Sequence, residues 1–334
     1  MKVLIVNQSE VRQLLPMNEC IDVMAEALKA LARGEAILPL RPVLWLPEKY
    51  GALGMMPSYL GNIKTMGLKV VSVFPHNHGT EYDSHQGAVL VFETEHGQLL
   101  SIMDSSSITA IRTGAVSGVA TQHLAREDAH ALAILGSGVQ ARSHLAAMLQ
   151  ARKIEHIRVW SRNAEHAAHF AEREARRYGV SIDAAQTVQA AVEGADIICT
   201  TTAAPEPILK GEWIVPGAHI NAVGSSVPFT RELDTAAMVT AKLFVDRRES
   251  TVNEAGDFLF AKQEGAISDD HILGEIGELL LGKVKGRNTP DEITVFKSLG
   301  LAIEDLAAAN YVYRKALETG LGVSIELGGE RDDD

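Results

Sequence analysis

Two kinds of hydrophobic pattern divide this chain. Beyond about residue 126, short, largely apolar runs recur at 131–135, 157–160, 197–199, 219–223 and 243–246, with helix-like stretches between the earlier ones. Largely apolar runs of this length predict strands buried on both faces of a parallel sheet. Their alternation with helices predicts an α/β, doubly wound Rossmann-type domain. Before residue 126 the strands read differently. Residues 1–7 predict a first strand, Ser9 is placed to cap a short helix over 10–15, and 17–33 carries Ile21, Met24, Ala25, Leu28 and Leu31 at helical spacing before Gly34. Strands are predicted over 38–46, 52–59 and 66–74, then a polar loop over 77–86 and a hairpin of 87–92 with 98–103. Asp104, Ser105, Ser106 and Ser107 offer N-caps for a helix through Ala120. Residues 296–317 predict one long helix, stopped by Gly320, that returns to the N-terminal part. The expected organisation is a nucleotide-binding domain over 126–289, and a second α+β domain of 1–125 with 290–334 returning to it.

The run at 131–135 breaks on Gly136-Ser137-Gly138, and a helix starts at Val139. Gly136 permits the tight turn, Gly138 lets backbone approach a pyrophosphate, and Ala141 is small enough for helix and strand to pack closely. The new helix aims its N–H groups and positive dipole end at whatever lies over the turn, so an anion fits there. The next strand ends Val159-Trp160-Ser161-Arg162-Asn163. An NAD site usually carries Asp or Glu at this strand end, on the ribose hydroxyls. Ser161 and Arg162 can instead donate to a 2′-phosphate, and Asn163 can cap the following helix. NADP is therefore the expected cofactor, with NAD a possible one.

Composition narrows the class. With 31 basic and 43 acidic residues the formal charge is −12, which disfavours nucleic acid as a partner. Part of the acidic excess is the tail Glu330, Asp332, Asp333 and Asp334, expected to be disordered. No apolar run reaches the ~18 residues of a membrane span, and the N-terminus does not read as a signal peptide. The two cysteines, Cys20 and Cys199, lie in apolar contexts and predict buried thiols in a reducing compartment, hence a cytoplasmic chain. No Cys/His cluster has metal-ligand spacing, so no metal is expected.

Lys69 stands out inside the apolar run GLKVVSVF, either as an edge-strand gatekeeper or as a lysine aimed into a cleft. Arg41 lies between apolar neighbours in AILPLR, and Arg112 follows the cap-rich helix start in MDSSSITAIRTGA. With SHQG at 84–87, LGSGVQA at 135–141, NAVGSSVPFTREL at 221–233, EIGELLLGKVKG at 275–286 and VFKSLGLAIED at 295–305, these blocks resemble the ornithine cyclodeaminase/μ-crystallin family over nearly the whole chain. The resemblance implies a two-domain, NAD(P)-dependent homodimer. It implies that Arg41, Lys69 and Arg112 meet the substrate, with Arg112 holding its carboxylate. A planar guanidinium suits a carboxylate, and a lysine flanked by two arginines should lose proton affinity and so suit acid/base work. The implied cofactor contacts are Gly136, Gly138, Val139, Gln140, Ser161, Arg162, Thr113, Ser84, Thr201, Val223, Gly224 and Ser298.

One departure bears on the reaction. Cyclodeaminases of the family carry an aspartate two residues before the proline of the 221–233 block, and this chain has Ser226 there. Serine cannot act as a carboxylate base at neutral pH. The resemblance therefore implies reduction of the C=N bond of an α-imino acid or cyclic ketimine to an α-amino acid. Alanine dehydrogenase or cyclodeaminase activity, or nucleotide binding without turnover, are the alternatives. The partners expected are a small imino or amino acid and a second copy of the chain, with no nucleic acid and no membrane. Asp234, beyond the turn, reads as structural.

Overall fold

The computed structural model describes residues 2–77 and 80–329. Strand β1 (Lys2–Val6) leads into helix α1 (Gln8–Leu14). Asn7, not Ser9, caps this helix. Its Oδ1 accepts from the N–H groups of Ser9 and Glu10, while Glu10 Oε2 accepts from Asn7 N–H, a reciprocal pair that Ser9, two residues later, could not close with Glu10. Helix α2 (Met17–Ala32) buries Ile21, Met24 and Leu28, and Gly34 follows it at φ +76°. Within the strand predicted over 38–46 only β3 (Val43–Trp45) forms, and a two-residue strand, β2 (Ala36–Ile37), precedes it. Pro39 and Pro42 lack the N–H groups that a continuous ladder needs, so Arg41 sits in irregular chain between them.

Strands β4 (Ala52–Leu60), β5 (Thr65–Val73), β6 (His85–Glu93) and β7 (Leu99–Asp104) follow as antiparallel neighbours. The polar loop read over 77–86 ends where β6 begins at His85, and its residues 78 and 79 lie outside the described residues. Helix α3 (Ser105–Leu124) is capped by Asp104, whose Oδ1 accepts from Ser107 N–H at 2.7 Å.

The nucleotide-type half runs β8 (Ala131–Leu135), α4 (Val139–Ala151), β9 (His156–Trp160), α5 (Ala164–Tyr178), β10 (Asp183–Ala184), α6 (Val188–Val192), β11 (Ile197–Thr200) and β12 (His219–Ala222). It continues through α7 (Thr235–Thr240), β13 (Lys242–Val245), α8 (Arg248–Glu254), α9 (Gly256–Gln263), β14 (Ile272–Glu275), α10 (Ile276–Leu280) and β15 (Thr294–Lys297). These strands form one eight-stranded sheet in the order β10-β9-β8-β11-β12-β15-β13-β14, parallel at every pairing. The order reverses at β8, as in a doubly wound fold. Leu135, Ile198, Ile220, Leu243, Val245 and Phe258 belong to its core.

The helix predicted from 296 begins only at Ala302. Residues 294–297 are strand β15, and Gly300 at φ +79° turns the chain before helix α11 (Ala302–Thr319). Strand β16 (Val323–Glu326) closes the chain by pairing with β1. The tail 330–334 lies outside the described residues. The other eight-stranded sheet has the order β16-β1-β7-β6-β5-β4-β2, with β3 also on β4. Helix α11 packs on β4, β5 and β6 of this sheet and on α2. Its seat needs Gly67, where a Cβ would come 2.7 Å from a Leu306 methyl and from Leu90 O.

The chain divides into two compact units. One holds the chain up to Arg112 and from Leu301 on, and the other is residues 113–300. The division falls inside α3 and at Gly300, whereas the sequence pattern suggested 126 and 290. The later part of α3 packs with the second unit: Ser117 Oγ lies 2.9 Å from His144 Nε2, and Thr121 Oγ1 accepts from Asn221 Nδ2 at 2.9 Å.

Candidate active site

In the first unit, Lys69 projects from β5 to the face that carries α11. Its cross-strand neighbours are Met56 on β4 and Val89 on β6, both buried and apolar. Lys69 is only 4% exposed. Such an ammonium persists only with a partner. Asp305 Oδ2, from the first turn of α11, lies 2.7 Å from Nζ, and Thr109 Oγ1 lies 3.4 Å away. Arg112, on α3, is buried beside it. Its Nε donates to Asp305 Oδ1 at 2.9 Å and its Nη1 to Glu304 Oε2 at 2.6 Å. Glu304 Oε2 also accepts from Leu301 N–H, so the same carboxylate caps α11 and fixes Arg112.

The electrostatics follow from burial. Desolvation pushes the Lys69 ammonium down to about 8; Asp305 opposes that shift, while Arg112 and Arg41 add to it. Burial alone would raise the Asp305 carboxyl, but Arg112 and Lys69 more than reverse this and hold it below the usual carboxylate range. Cys20, on α2, is neutral at working pH because burial pushes its thiol up. Arg41 is half-buried, and Ser84, just before β6, has its Oγ 3.0 Å from His85 Nδ1.

In the second unit, Gly136, Gly138, Val139, Gln140, Ser161, Arg162, Thr201, Val223, Gly224 and Ser298 all follow the carboxyl ends of β8, β9, β11, β12 and β15. This is the edge where open α/β sheets bind ligands. Thr113 is buried on α3. Gly136 has φ +119°, and a Cβ there would lie 2.8 Å from Thr201 O and Oγ1. Gly138 is the N-cap of α4 and offers no side-chain cap. A Cβ on Gly138 would meet no atom within 4 Å. The protein's own packing therefore does not demand a glycine there, and the bare backbone leaves space over the helix N-terminus. That geometry fits a pyrophosphate. Ser161 Oγ accepts from Ser137 Oγ at 3.0 Å, Arg162 is exposed, and Asn163 Oδ1 caps α5 through Glu165 N–H. Ser298 Oγ is buried without a partner among the described residues.

A second buried network ties these strand ends together. Glu232 Oε1 accepts from Thr202 N–H and Oγ1, and Oε2 from Thr200 Oγ1 and Gly224 N–H, at 2.6–2.7 Å. Asp257 Oδ1 accepts from the N–H groups of Glu232 and Leu233, and its Oδ2 pairs with Lys297 at 2.9 Å. Burial and the neighbouring Asp257 push the Glu232 carboxyl up, and the threonine donors and Lys297 oppose them. Asp234 is structural, capping α7 through Ala237 N–H. Among the described residues no group of three or more His, Cys, Asp or Glu side chains could hold a metal ion, and no helix is long and apolar enough to cross a membrane.

The residues that sequence reasoning missed are Asp305, Glu304, Glu232, Asp257 and Lys297. The signal for the first two was an adjacent acid pair in a largely apolar helix; reading that helix from 296 buried the pair mid-helix, where its link to the helix start was invisible.

Residues 1–320 match the model of the ornithine cyclodeaminase/mu-crystallin family. The chain belongs to that family. Within it, mouse ketimine reductase mu-crystallin is 42% identical over 280 residues, covering 84% of this chain and 85% of the relative. The Thermococcus litoralis Δ1-pyrroline-2-carboxylate reductase structure, in complex with NADH and L-proline, has a TM-score of 0.94 at 40% identity, covering 96% of this chain and 99% of that one. An archaeal alanine dehydrogenase dimer with bound NAD has a TM-score of 0.93 at 32% identity, covering 98% and 100%. The second-unit sheet is thus a Rossmann-type sheet of this family.

Proposed function

We infer that this chain is an NAD(P)H-dependent oxidoreductase that reduces the C=N bond of an α-imino acid or cyclic ketimine to the α-amino acid. The observation that carries the mechanism is the buried Lys69 ammonium beside Arg112. A bound reduced nicotinamide would supply hydride for the imine carbon. Arg112 takes the substrate carboxylate, a planar fork being the best partner for one. Lys69 donates a proton from Nζ to the imine nitrogen as the C=N π pair moves onto it, and solvent recharges the amine. Arg41 adds positive charge from the irregular segment between β2 and β3. Ser226 leaves the loop after β12 without the carboxylate that cyclodeaminases carry, which disfavours ammonia elimination.

Gly136, Gly138, Val139 and Gln140 hold the pyrophosphate. Thr201, Val223, Gly224 and Ser298 would serve the nicotinamide half, with Thr113 a further contact. Ser161 and Arg162 favour NADPH, since no carboxylate at that strand end repels a 2′-phosphate. The chain works as a homodimer. Leu53, Met55, Leu68, Val70, Leu90, Phe92 and Ile102 lie on the sheet face opposite α11 and stay partly exposed, and a second copy covers them. An archaeal alanine dehydrogenase that is a dimer supports dimerisation, whichever face is used. Both cysteines are buried and unpaired, which suits the cytoplasm.

The test is oxidation of NADPH and of NADH with Δ1-pyrroline-2-carboxylate and other cyclic imines, against ornithine and against pyruvate plus ammonia. Cyclic imines should give the highest kcat/KM. Ammonia release from ornithine would point to a cyclodeaminase instead. Cofactor binding with no turnover on any of these would point to a binding protein.

A further inference from the structure

The Lys69–Arg112 pair has a third member that carries no assigned role. We propose that Asp305 is a positioning residue for imine reduction: its carboxylate aims the Lys69 side chain and keeps its proton on, so that substrate meets an ammonium. This rests on the acid role of Lys69 given above.

The geometry is that of a bridge. One oxygen of Asp305 lies 2.7 Å from Lys69 Nζ, and the other accepts from Arg112 Nε at 2.9 Å. Both ends are buried, with Lys69 4% and Asp305 1% exposed. Asp305 stands in the first turn of α11, where the positive end of the helix dipole and two cations all favour its ionised form. The surroundings of Lys69 otherwise oppose its charge. Met56 and Val89 flank it on the sheet and offer no acceptor. Thr109 on α3 is neutral, and Arg112 on α3 and Arg41 before β3 are cations. Glu304 reaches this group through Arg112, and Cys20 faces Arg112 and Glu304 as a neutral thiol.

The chemistry requires the charge. When hydride reaches the imine carbon, the C=N π pair passes to nitrogen, an N–H bond forms, and a Lys69 Nζ–H bond breaks. A neutral amine at Lys69 has no proton acidic enough for this. Asp305 offsets the desolvation that would otherwise strip Lys69 near neutral pH. It also denies the side chain other rotamers by fixing Nζ between α11 and α3.

The experiment is the pH profile of kcat/KM for reduction of a cyclic imine by NADPH. The wild type should lose activity as pH rises through about 8, where Lys69 gives up its proton. Asp305→Asn should move this falling limb down by about one pH unit or more, the size expected for removing an opposite charge in contact. That is about a tenfold loss or more above the displaced limb and a smaller one at acid pH. Glu304→Gln, which touches Arg112 but not Lys69, should raise KM and move the limb far less. Asp305→Glu keeps the charge, so its limb should stay near the wild-type position while kcat falls. Carbon NMR of the Lys69 ε-methylene should show the same displacement without cofactor. A limb unmoved in folded Asp305→Asn, or moved by a unit in Asp305→Glu, overturns the proposal. A wild type without turnover on any imine would instead remove the reading on which it rests.

Discussion

In the second-unit sheet, β8, β11, β12 and β15 are buried at every residue. In the first-unit sheet, β4 and β7 alternate strictly between buried and half-buried positions. The two sheets have eight strands each. Parallel strands are covered on both faces by their own crossover helices, so the second sheet finishes itself and presents chemistry only at its carboxyl edge. The first sheet has helix α11 on one face and an apolar, partly open surface on the other. It also carries a charged side chain, Lys69, ion-paired with Asp305 in the first turn of α11, where a purely structural sheet would place an aliphatic. The cofactor residues proposed for the second sheet thus lie at strand ends, as glycines and hydroxyls, and the acid proposed for the first lies mid-strand, inside the packing.

Changes confined to one sheet should therefore separate turnover from cofactor binding. The largest effect is expected at the charged face of the first. Lys69→Ala should lower kcat by about 10²–10⁴-fold while NADPH still binds. Near-wild-type turnover would end the acid role. Arg112→Lys should mainly lower kcat/KM, because an ammonium cannot hold a carboxylate with two parallel bonds.

The open face of the first sheet is the next target. Leu90→Glu with Leu68→Glu, both half-buried, should turn a dimer into a monomer in light scattering at micromolar protein, with the nucleotide site intact. A wild type that is already monomeric would leave that face without the partner assigned to it. At the edge of the second sheet, Gly136→Ala must hold φ +119° with its Cβ 2.8 Å from Thr201 O. Strain of this kind costs about 1–3 kcal/mol. Melting should drop, and NADH affinity by fluorescence titration should weaken about tenfold or more. Unchanged affinity would move the pyrophosphate away from this turn. The smallest effect is at Arg162. A charge-assisted bond is worth about 1.5–3 kcal/mol, so wild type should prefer NADPH by more than about tenfold, and Arg162→Ala should erase most of that and spare NADH. Equal kcat/KM for the two cofactors in wild type would contradict it.

How legible each sheet was in the sequence follows from the same contrast. Continuous runs such as Ala131–Leu135 announce buried parallel strands, and the glycine turn after them names its own geometry. Lys69 was visible because a charge breaks an apolar run. Its partner Asp305 was not, since an acid pair in an apolar helix carries no sign of which distant strand supplies its cation. The segment around Arg41 was read as a strand from its leucines, although Pro39 and Pro42 forbid the ladder. The start of α11 was misplaced because Phe296 and Leu299 fit a helical period as well as a strand followed by a turn, and only the pairing of Phe296 with Asn221 and Phe244 decides between them. Nothing in the sequence singles out Glu232, whose bonds to Thr200 and Gly224 depend on β11 and β12 lying side by side.

Strand β16 pairs with β1, Lys2 opposite Glu326, and this sets an order of events on the ribosome. The chain emerges from its N-terminus at about 5–20 residues per second. Strands β4 to β7 leave the exit tunnel early, carrying Lys69, but their helical cover and the counter-ion for that lysine are encoded after the whole nucleotide unit. The nucleotide unit is contiguous, residues 113–300, and has all its sheet partners as soon as it is made. Until α11 is made, the first sheet therefore lacks this helical cover and Lys69 lacks its counter-ion. Truncation just before α11 should release a chain that binds nucleotide yet is held by chaperones through the exposed first sheet.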